Sequence, residues 1–489
     1  DRWIGYTLSP LLWCDFWPNY YCPSIAESAR HVRDHERCAT MKYYYNLSAG
    51  RVQTPTLGWV VRRTEEAKER ILLYTLVFNG NRVSFREDEV SGDLRGLREL
   101  VRSKKYEHDV EIEIKAVSEE VTTIEPLPPY STDALIADAN RFLGFGAPET
   151  MALAQNLFEW GLITYHRTDS TRVSDRGIQV AREWLEQKYG ELSSELFRPR
   201  TWGAGGAHEA IRPVRPIDAE RLRVLIEEGL IELPGELTWR HLRLYDLIFR
   251  RFVASQMRPA KVKIVTYKIE VPLYGITLEQ KRLIGIGSKL AGTPEADDVE
   301  AGFLLVWHPY FRVDQPLPVG HRMAKVEARR VPKVPLYTQG EIIEEMKRKG
   351  IGRPSTYAKI VDTLFKRGYI ARVRIKRGGE RVAATPRGRH VYYYLTKILG
   401  EADEEHYGSL APHLRRIPAL VSEERTKVLE ELMDSIERGE KGRQDVLDSI
   451  FNEIQPLASP IISAYRGEST LQGLSECIRG FRSRGVPVR

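Results

Sequence analysis

Apolar and polar positions alternate in two stretches of the first quarter of the chain. In "LYTLVFNGNRVSF", which starts at Leu73, the period of two is broken by Asn79-Gly80, a dipeptide suited to a tight turn between antiparallel strands. In "DVEIEIKAV", Val110, Ile112 and Ile114 share one face. "KVKIVTYKIEV" (261–271) and "GFLLVW" (302–307) read as strands returning to the same sheet. Between these β segments the period changes to that of helices, roughly 131–257, after the stiff entry "EPLPPY" with Pro126, Pro128 and Pro129. After "VPKVP" (331–335) helix period resumes to about 457. A helical module set inside a β module can swing on two connections. The pattern predicts an α+β, multidomain chain: a helical base with an insertion (1–70), a β-rich part (71–125), a helical domain (126–258), the β return (259–330), a second helical domain (331–458) and a loosely ordered basic tail (459–489).

A repeat runs across this layout. "GFGAPETMALAQNLFEWGLI" (144–163) aligns with "GIGRPSTYAKIVDTLFKRGYI" (350–370), and an amphipathic helix precedes each. Leu135, Ile136, Ala139, Phe142 and Leu143 face one way in the first; Ile342, Ile343 and Met346 do in the second. The later helix carries Tyr357, Ile360, Val361, Leu364 and Phe365 as a core stripe. Helix, turn, Ser/Thr-capped helix, Gly and strand predict a helix-turn-helix with the start of a wing, and the second copy continues to a hairpin tip at Gly378-Gly379 flanked by Lys376, Arg377 and Arg381. Two purely structural helical hairpins would give the same pattern.

Charge separates those alternatives. The sum over 489 residues, 74 Lys+Arg against 67 Asp+Glu, is only +7, but fourteen Lys+Arg face two acids, Asp362 and Glu380, between Lys347 and Val391. Such a density suits a phosphate backbone. No apolar run approaches the ~18 residues of a membrane span, and the opening "DRWIGYTLSP" has neither a signal-peptide pattern nor an initiator Met, as in a processed, split or trimmed polypeptide. Four cysteines point to a reducing, cytoplasmic setting. Cys14, Cys22, His31, His35 and Cys38 are zinc-type ligands, though their spacing is not a standard one, and free thiols fit as well.

Reactive chemistry concentrates in "GLITYHRTDSTRVS" (161–174). The probable strand Leu162-Ile163-Thr164 delivers Tyr165 among Arg167, Thr168, Asp169, Ser170 and Arg172, where a structural tyrosine needs one partner. A phenol that attacks a phosphodiester must lose its proton, and a guanidinium two positions along can stabilise the pentavalent charge. A half-buried strand tyrosine beside a solvated loop is the plainer reading. In "GAGGAHEAIRPVRP" (203–216) the glycines permit close backbone approach, and His208, Glu209 and Arg212 could share a face of a short helix. His208 could contact a phosphate, shuttle a proton or simply cap the helix. "LSAGRVQTPTLGW" reads as a helix start at Gln53-Thr54-Pro55. No G-x-x-x-x-G-K-[ST] is present to bind ATP.

Together, "LSAGRVQTPTLGW", "GLITYHRTDSTRVS", "GAHEAIRP" and "GIGRPSTYAKIVDTL", in this order over about 350 residues, resemble a type IA DNA topoisomerase, and "YHRTDSTRVS" and "GRVQTPTLGW" resemble reverse gyrase most. The likeness thins in the Cys-rich insertion and the last thirty residues. It implies a toroid whose β-rich arch carries the tyrosine domain. It implies that Tyr165 forms a 5′-phosphotyrosyl bond, with Arg167 at the phosphate, His208 in cleavage or rejoining, and Asp169 positioning DNA or the closed gate. Arg51, Gln53, Arg353, Ser355 and Thr356 would contact single-stranded DNA; Lys359, Ser170, Arg172, Glu209 and Arg212 complete the expected DNA surface. The family's tyrosine works against a Toprim domain that supplies an Asp-x-Asp pair and binds Mg²⁺, and reverse gyrase adds an ATP-dependent helicase part for positive supercoiling. Neither pattern stands in this sequence, so the resemblance implies a partner, either a larger subunit or the remainder of a longer chain, as well as a source that grows hot. A relaxing type IA fragment and a non-enzymatic winged-helix subunit are the alternatives.

Overall fold

Asn79 and Gly80 both adopt left-handed backbone angles, φ 44° and 74°, and so close the hairpin that the alternation predicts, with Phe78 opposite Asn81. The computed structural model describes residues 2–21, 47–102, 109–203, 208–375 and 379–466. They fall into two units, Glu66–Pro335 and the pairing of Asp1–Glu65 with Leu336–Arg489. The hairpin belongs to the former unit, in an antiparallel sheet of β1 (Arg70–Phe78), β2 (Asn81–Arg86), β3 (Asp109–Ile124), β4 (Ala260–Val271), β5 (Ile276–Ile286), β6 (Lys289–Leu290) and β7 (Gly320–Pro332), in the order β2-β1-β7-β3-β4-β5-β6. Val110, Ile112 and Ile114 are buried on one face, as their spacing requires.

The helical block lies in sequence between β3 and β4, which pair directly with each other from Glu113↔Glu270 to Ile124↔Ala260. Its helices Thr132–Asp138, Ala147–Glu159, Asp175–Tyr189, Ala219–Glu227 and Trp239–Ser255 bury Leu135, Leu157, Leu185, Leu244 and Phe252 completely. The proline entry is pinned by Arg251, whose Nε donates to Pro128 O at 2.7 Å and whose Nη1 meets Asp138 at 3.1 Å; Tyr130 Oη donates to the same carboxylate at 2.8 Å. One predicted strand is wrong. "GFLLVW" forms a helical turn, Leu304–Trp307, because Gly302 takes φ 52° and sits where a Cβ would stand 2.3 Å from Pro259 O. An unbroken apolar run suits a buried helix as well as a buried strand, and this one is buried throughout.

In the other unit the helix Gln53–Glu66 begins where the Gln-Thr-Pro start predicts. The helices Gln339–Arg348 and Tyr357–Lys366 lead into the hairpin β8 (Ile370–Ile375) and β9 (Gly379–Ala384). Ile342, Ile343, Met346, Tyr357, Val361 and Leu364 are buried, while Ile360 and Phe365 are half-buried. Thr356 makes no side-chain cap; its Oγ1 accepts from Arg353 N at 2.9 Å and tightens the preceding turn instead. Lys376, Arg377, Gly378 and the tail from 467 lie outside the described residues, as do Cys22, His31, His35, Cys38 and the side chain of Cys14. No described helix is long and apolar enough to cross a membrane.

Candidate active site

Both copies of the repeat end the same way. Gly161 (φ 68°) and Gly368 (φ 67°) each close a helix with paired bonds, Leu162 N to Leu157 O and Gly161 N to Phe158 O in one, Tyr369 N to Leu364 O and Gly368 N to Phe365 O in the other, all at 2.9 Å. This is a glycine C-cap of the Schellman kind. In the first copy the exit leads straight to the tyrosine segment. Ile163 makes an isolated bridge to Pro213 rather than a full strand. Thr164 then ties the segment down: its N donates to Arg212 O at 2.9 Å and its Oγ1 to Ala210 O at 2.7 Å.

Beyond Thr164 the side chains alternate. Tyr165, Arg167 and Asp169 are exposed, whereas His166 and Thr168 are buried at 0% and 2%. The inward pair is held by Thr132, whose Oγ1 donates to His166 O at 2.8 Å and accepts from Thr168 N at 2.9 Å. Extended backbone with one anchored face thus presents phenol, guanidinium and carboxylate on the other. The Tyr165 ring is 40% exposed and meets Phe158 edge-on at 5.3 Å; the His208 ring lies tilted at 5.7 Å. The structure therefore brings Tyr165 and His208 together.

His166 was not singled out by the sequence, yet it orients the arginine: Arg167 Nε donates to His166 Nε2 at 3.3 Å. Burial and, next, the adjacent Arg167 charge pull the His166 imidazole down to about 4, so at neutral pH it is an uncharged acceptor. Its stability contribution follows the depressed value. An unfolded chain protonates near 6.5 and the folded site only near 4, so the contribution is complete above 6.5 and falls away as pH drops toward 4. The total is about 3 kcal/mol. Urea unfolding of wild type and His166→Gln at a series of pH values is expected to show the gap between them narrowing from pH 7 to pH 4. A constant gap would mean that His166 titrates normally.

Ser170 and Arg172 continue the chain through Ser170 N to Thr168 Oγ1 and Arg172 N to Ser170 Oγ, at 3.0 and 3.1 Å. Arg172 is half-buried and its Nε meets no partner. The expected short helix at 208–212 is absent; the segment is extended, with Ile211 bridged to Tyr130. Glu209 and Arg212 face each other there, Arg212 Nε and Nη2 donating to Glu209 at 2.9 and 2.8 Å, while Ser174 Oγ donates to the same carboxylate at 2.8 Å. Burial alone would raise the Glu209 carboxyl, but the Arg212 and Ser174 bonds outweigh it and hold it below its ordinary range. This pair fixes the start of the helix Asp175–Tyr189, whose N-cap is Ser174, with the Arg212 side chain almost wholly withdrawn from solvent.

The other unit treats its expected DNA contacts in two ways. Arg51 and Gln53 are 6% and 7% exposed. Arg51 Nη1 pairs with Glu430 at 2.9 Å, Arg353 Nε with the same carboxylate at 2.8 Å, and Gln53 Nε2 donates to Ser48 O at 3.1 Å. Arg51 and Gln53 are thus engaged inside the fold, whereas Arg353, with 34% of its side chain exposed, keeps part of its guanidinium at the surface. Ser355 and Lys359 are exposed, four positions apart at the start of the helix Tyr357–Lys366, and Thr356 is half-buried beneath them. Among the described residues no three His, Cys, Asp or Glu gather to hold a metal ion.

An exposed phenol beside a guanidinium, an imidazole and a carboxylate can bind and attack a phosphodiester. Residues 1–448 match the DNA topoisomerase family. The chain belongs to this family, in its type IA branch. Among topoisomerase relatives, "Reverse gyrase 1" of Aeropyrum pernix is 55% identical over 97% of the chain and 36% of that protein. "Reverse gyrase" of Pyrococcus furiosus is 41% identical over 93% of the chain and 31% of that protein. The chain thus spans about a third of the length of the curated relatives it matches. The solved full-length topoisomerase I of Thermotoga maritima has a TM-score of 0.60 and 28% identity, covering 94% of the chain and 66% of that structure. The mixed α and β architecture is that of a type IA topoisomerase.

Proposed function

We propose that the chain carries the nucleophile of a reverse gyrase, and that Tyr165 breaks and rejoins one DNA strand. The observation that carries this reading is the outward face of residues 165–169, with Tyr165 exposed between Arg167 and the His208 ring at 5.7 Å. Tyr165 Oη bonds to phosphorus as the bond to the 3′ oxygen breaks. The phenol proton leaves and the 3′ oxygen ends as a hydroxyl, leaving a 5′-phosphotyrosyl ester. Attack by that hydroxyl reverses every change, so rejoining consumes no nucleotide. Arg167, held by neutral His166, meets the charge that develops on the phosphoryl oxygens, and His208 carries a proton beside the ring. Asp169 orients the strand or the closed state. Ser170, Arg172, Ser355, Thr356 and Lys359 contact phosphates, while Glu209 and Arg212 keep the segment in place.

Positive supercoiling belongs to this proposal because the relatives are reverse gyrases. It needs an ATP-dependent helicase part and a Toprim part that holds Mg²⁺; the described residues do not assemble a metal site. Those relatives carry the matched region inside much longer chains, which favours such parts in the same polypeptide over a separate larger subunit. The Cys/His insertion remains a zinc proposal only. The test is transfer of end label from a single-stranded oligonucleotide to protein, on a denaturing gel, with Mg²⁺ and with the chain alone or joined to a Toprim part. Label on the polypeptide that contains Tyr165 is expected in the joined form. Salt-sensitive binding without label in either form would instead identify a winged-helix DNA-binding protein.

A further inference from the structure

The unit that holds Tyr165 also has a cationic hollow on its sheet. In the register of β1 with β7, Tyr74 stands opposite Ala328 and Leu72 opposite Arg330. The helix Leu94–Arg102 packs over this face through buried Leu97. Between helix and sheet lies a cavity of about 530 Å³ lined by Arg70, Arg98, Arg102, Arg329 and Arg330. One carboxylate, Glu87, lines it as well, and it is already committed: it pairs with Arg98 and accepts from Leu72 N at 2.9 Å. Among the described residues no carboxylate pairs with Arg70, Arg102, Arg329 or Arg330. At the floor Tyr74 is 0% exposed; its hydroxyl and the buried Arg98 Nε interact with each other without well-formed hydrogen-bond geometry, and neither atom has another partner among the described residues.

A fold rarely buries a hydroxyl and a guanidinium N–H without a well-formed acceptor for either. Burial holds the Tyr74 proton on, against the pull of Arg98, so the phenol can only serve an acceptor as a neutral donor. Arg329, opposite Leu73, belongs to the other face of the sheet. Arg70, Arg98, Arg102 and Arg330, four arginines against one neutralised carboxylate, exceed what a single carboxylate ligand requires. They suit a multiply charged group with several oxygens, and the volume is that of a ligand site. We propose that this pocket binds a phosphate group, with Tyr74 Oη and Arg98 Nε donating from the floor and Arg70, Arg102 and Arg330 closing around the rim. The phosphate comes from a nucleic-acid strand or a free nucleotide. None of these residues touches the tyrosine segment.

The test reads the site directly. Full-length chain carrying Tyr165→Phe, so that no cleavage enters, is treated with phenylglyoxal, and modification of Arg98, Arg102 and Arg330 is followed by peptide mass spectrometry. The probes are a twelve-residue oligothymidylate and ATP. Protection of these arginines is expected, with half-protection needing roughly fivefold more probe in Tyr74→Phe, the loss of one hydrogen bond. Protection by the oligonucleotide alone assigns the pocket to a strand; protection by ATP alone assigns it to a nucleotide. If neither probe protects them while the oligonucleotide still protects Arg167, the pocket proposal is overturned and the tyrosine site is not. Equal half-protection in Tyr74→Phe overturns it too, because the floor then plays no part.

Discussion

Tyr165→Phe is expected to abolish the covalent DNA adduct, by a factor of 10⁴ or more, and to leave oligonucleotide affinity within about twofold. The substitution is clean because of how the ring sits. Phe keeps the edge contact with Phe158 at 5.3 Å and the face toward His208 at 5.7 Å, and removes an oxygen that makes no hydrogen bond among the described residues. Stability should therefore stay within about 0.5 kcal/mol of wild type. Arg167→Ala is the graded companion: the nucleophile remains, but the donor to the phosphoryl oxygens is gone, so label transfer should slow by about 10²–10³. Quantified label transfer with the Toprim part present, beside fluorescence anisotropy on the same oligonucleotide, separates the two. A labelled Phe variant would place the nucleophile elsewhere.

How much of this was readable in advance depends on the range of the interactions. The hairpin at Asn79-Gly80, the buried stripe of Val110, Ile112 and Ile114 and the glycine-terminated repeat are local patterns, and the structure contains them. The cluster around Tyr165 was visible as composition. Its geometry was visible too, since alternation in "YHRTDS" already divides Tyr165, Arg167 and Asp169 from His166 and Thr168. Taking each residue for its chemistry instead of its face hid His166. The burial of Arg51 and the pairing of Arg353 could not be read, because both depend on Glu430, which lies 379 positions beyond Arg51. The helix expected at His208–Arg212 failed for a similar reason: Ile211 is recruited by Tyr130 and Arg212 N by Thr164 Oγ1, partners far away in sequence. An acidic residue on an amphipathic helix looks the same in one sequence whether it faces water or two arginines.

Glu430→Ala is expected to be the most destabilising single change in the unit that contains it. Glu430 is 4% exposed, on the helix Glu423–Glu437, and its two oxygens bind different arginines, Arg51 at 2.9 Å and Arg353 at 2.8 Å; its main-chain oxygen accepts from Arg353 Nη2 at 2.9 Å. Removing the carboxylate leaves two guanidiniums facing each other where one is almost wholly withdrawn from water. Loss of one partner from a buried charge network costs about 3–5 kcal/mol. Asp434, 2.5 Å from Arg353, offsets part of it, so the lower end is expected. Glu430→Gln keeps the shape and one acceptor oxygen but turns an amide N–H₂ toward the second guanidinium, and should fall between. The node also matters for DNA. It joins the turn before Gln53 to the turn before Tyr357, and the latter displays Ser355 and Lys359. Glu430→Ala should therefore weaken oligonucleotide binding without touching a strand, and the loss should grow near its lowered unfolding temperature. Lys359→Ala should behave oppositely, with unchanged unfolding and a salt dependence of binding shallower by about 0.7 in log–log slope. Thermal unfolding and salt titrations on the two variants distinguish holding the surface from being the surface. A Glu430→Ala protein that melts with wild type would show that its carboxylate is dispensable to the fold.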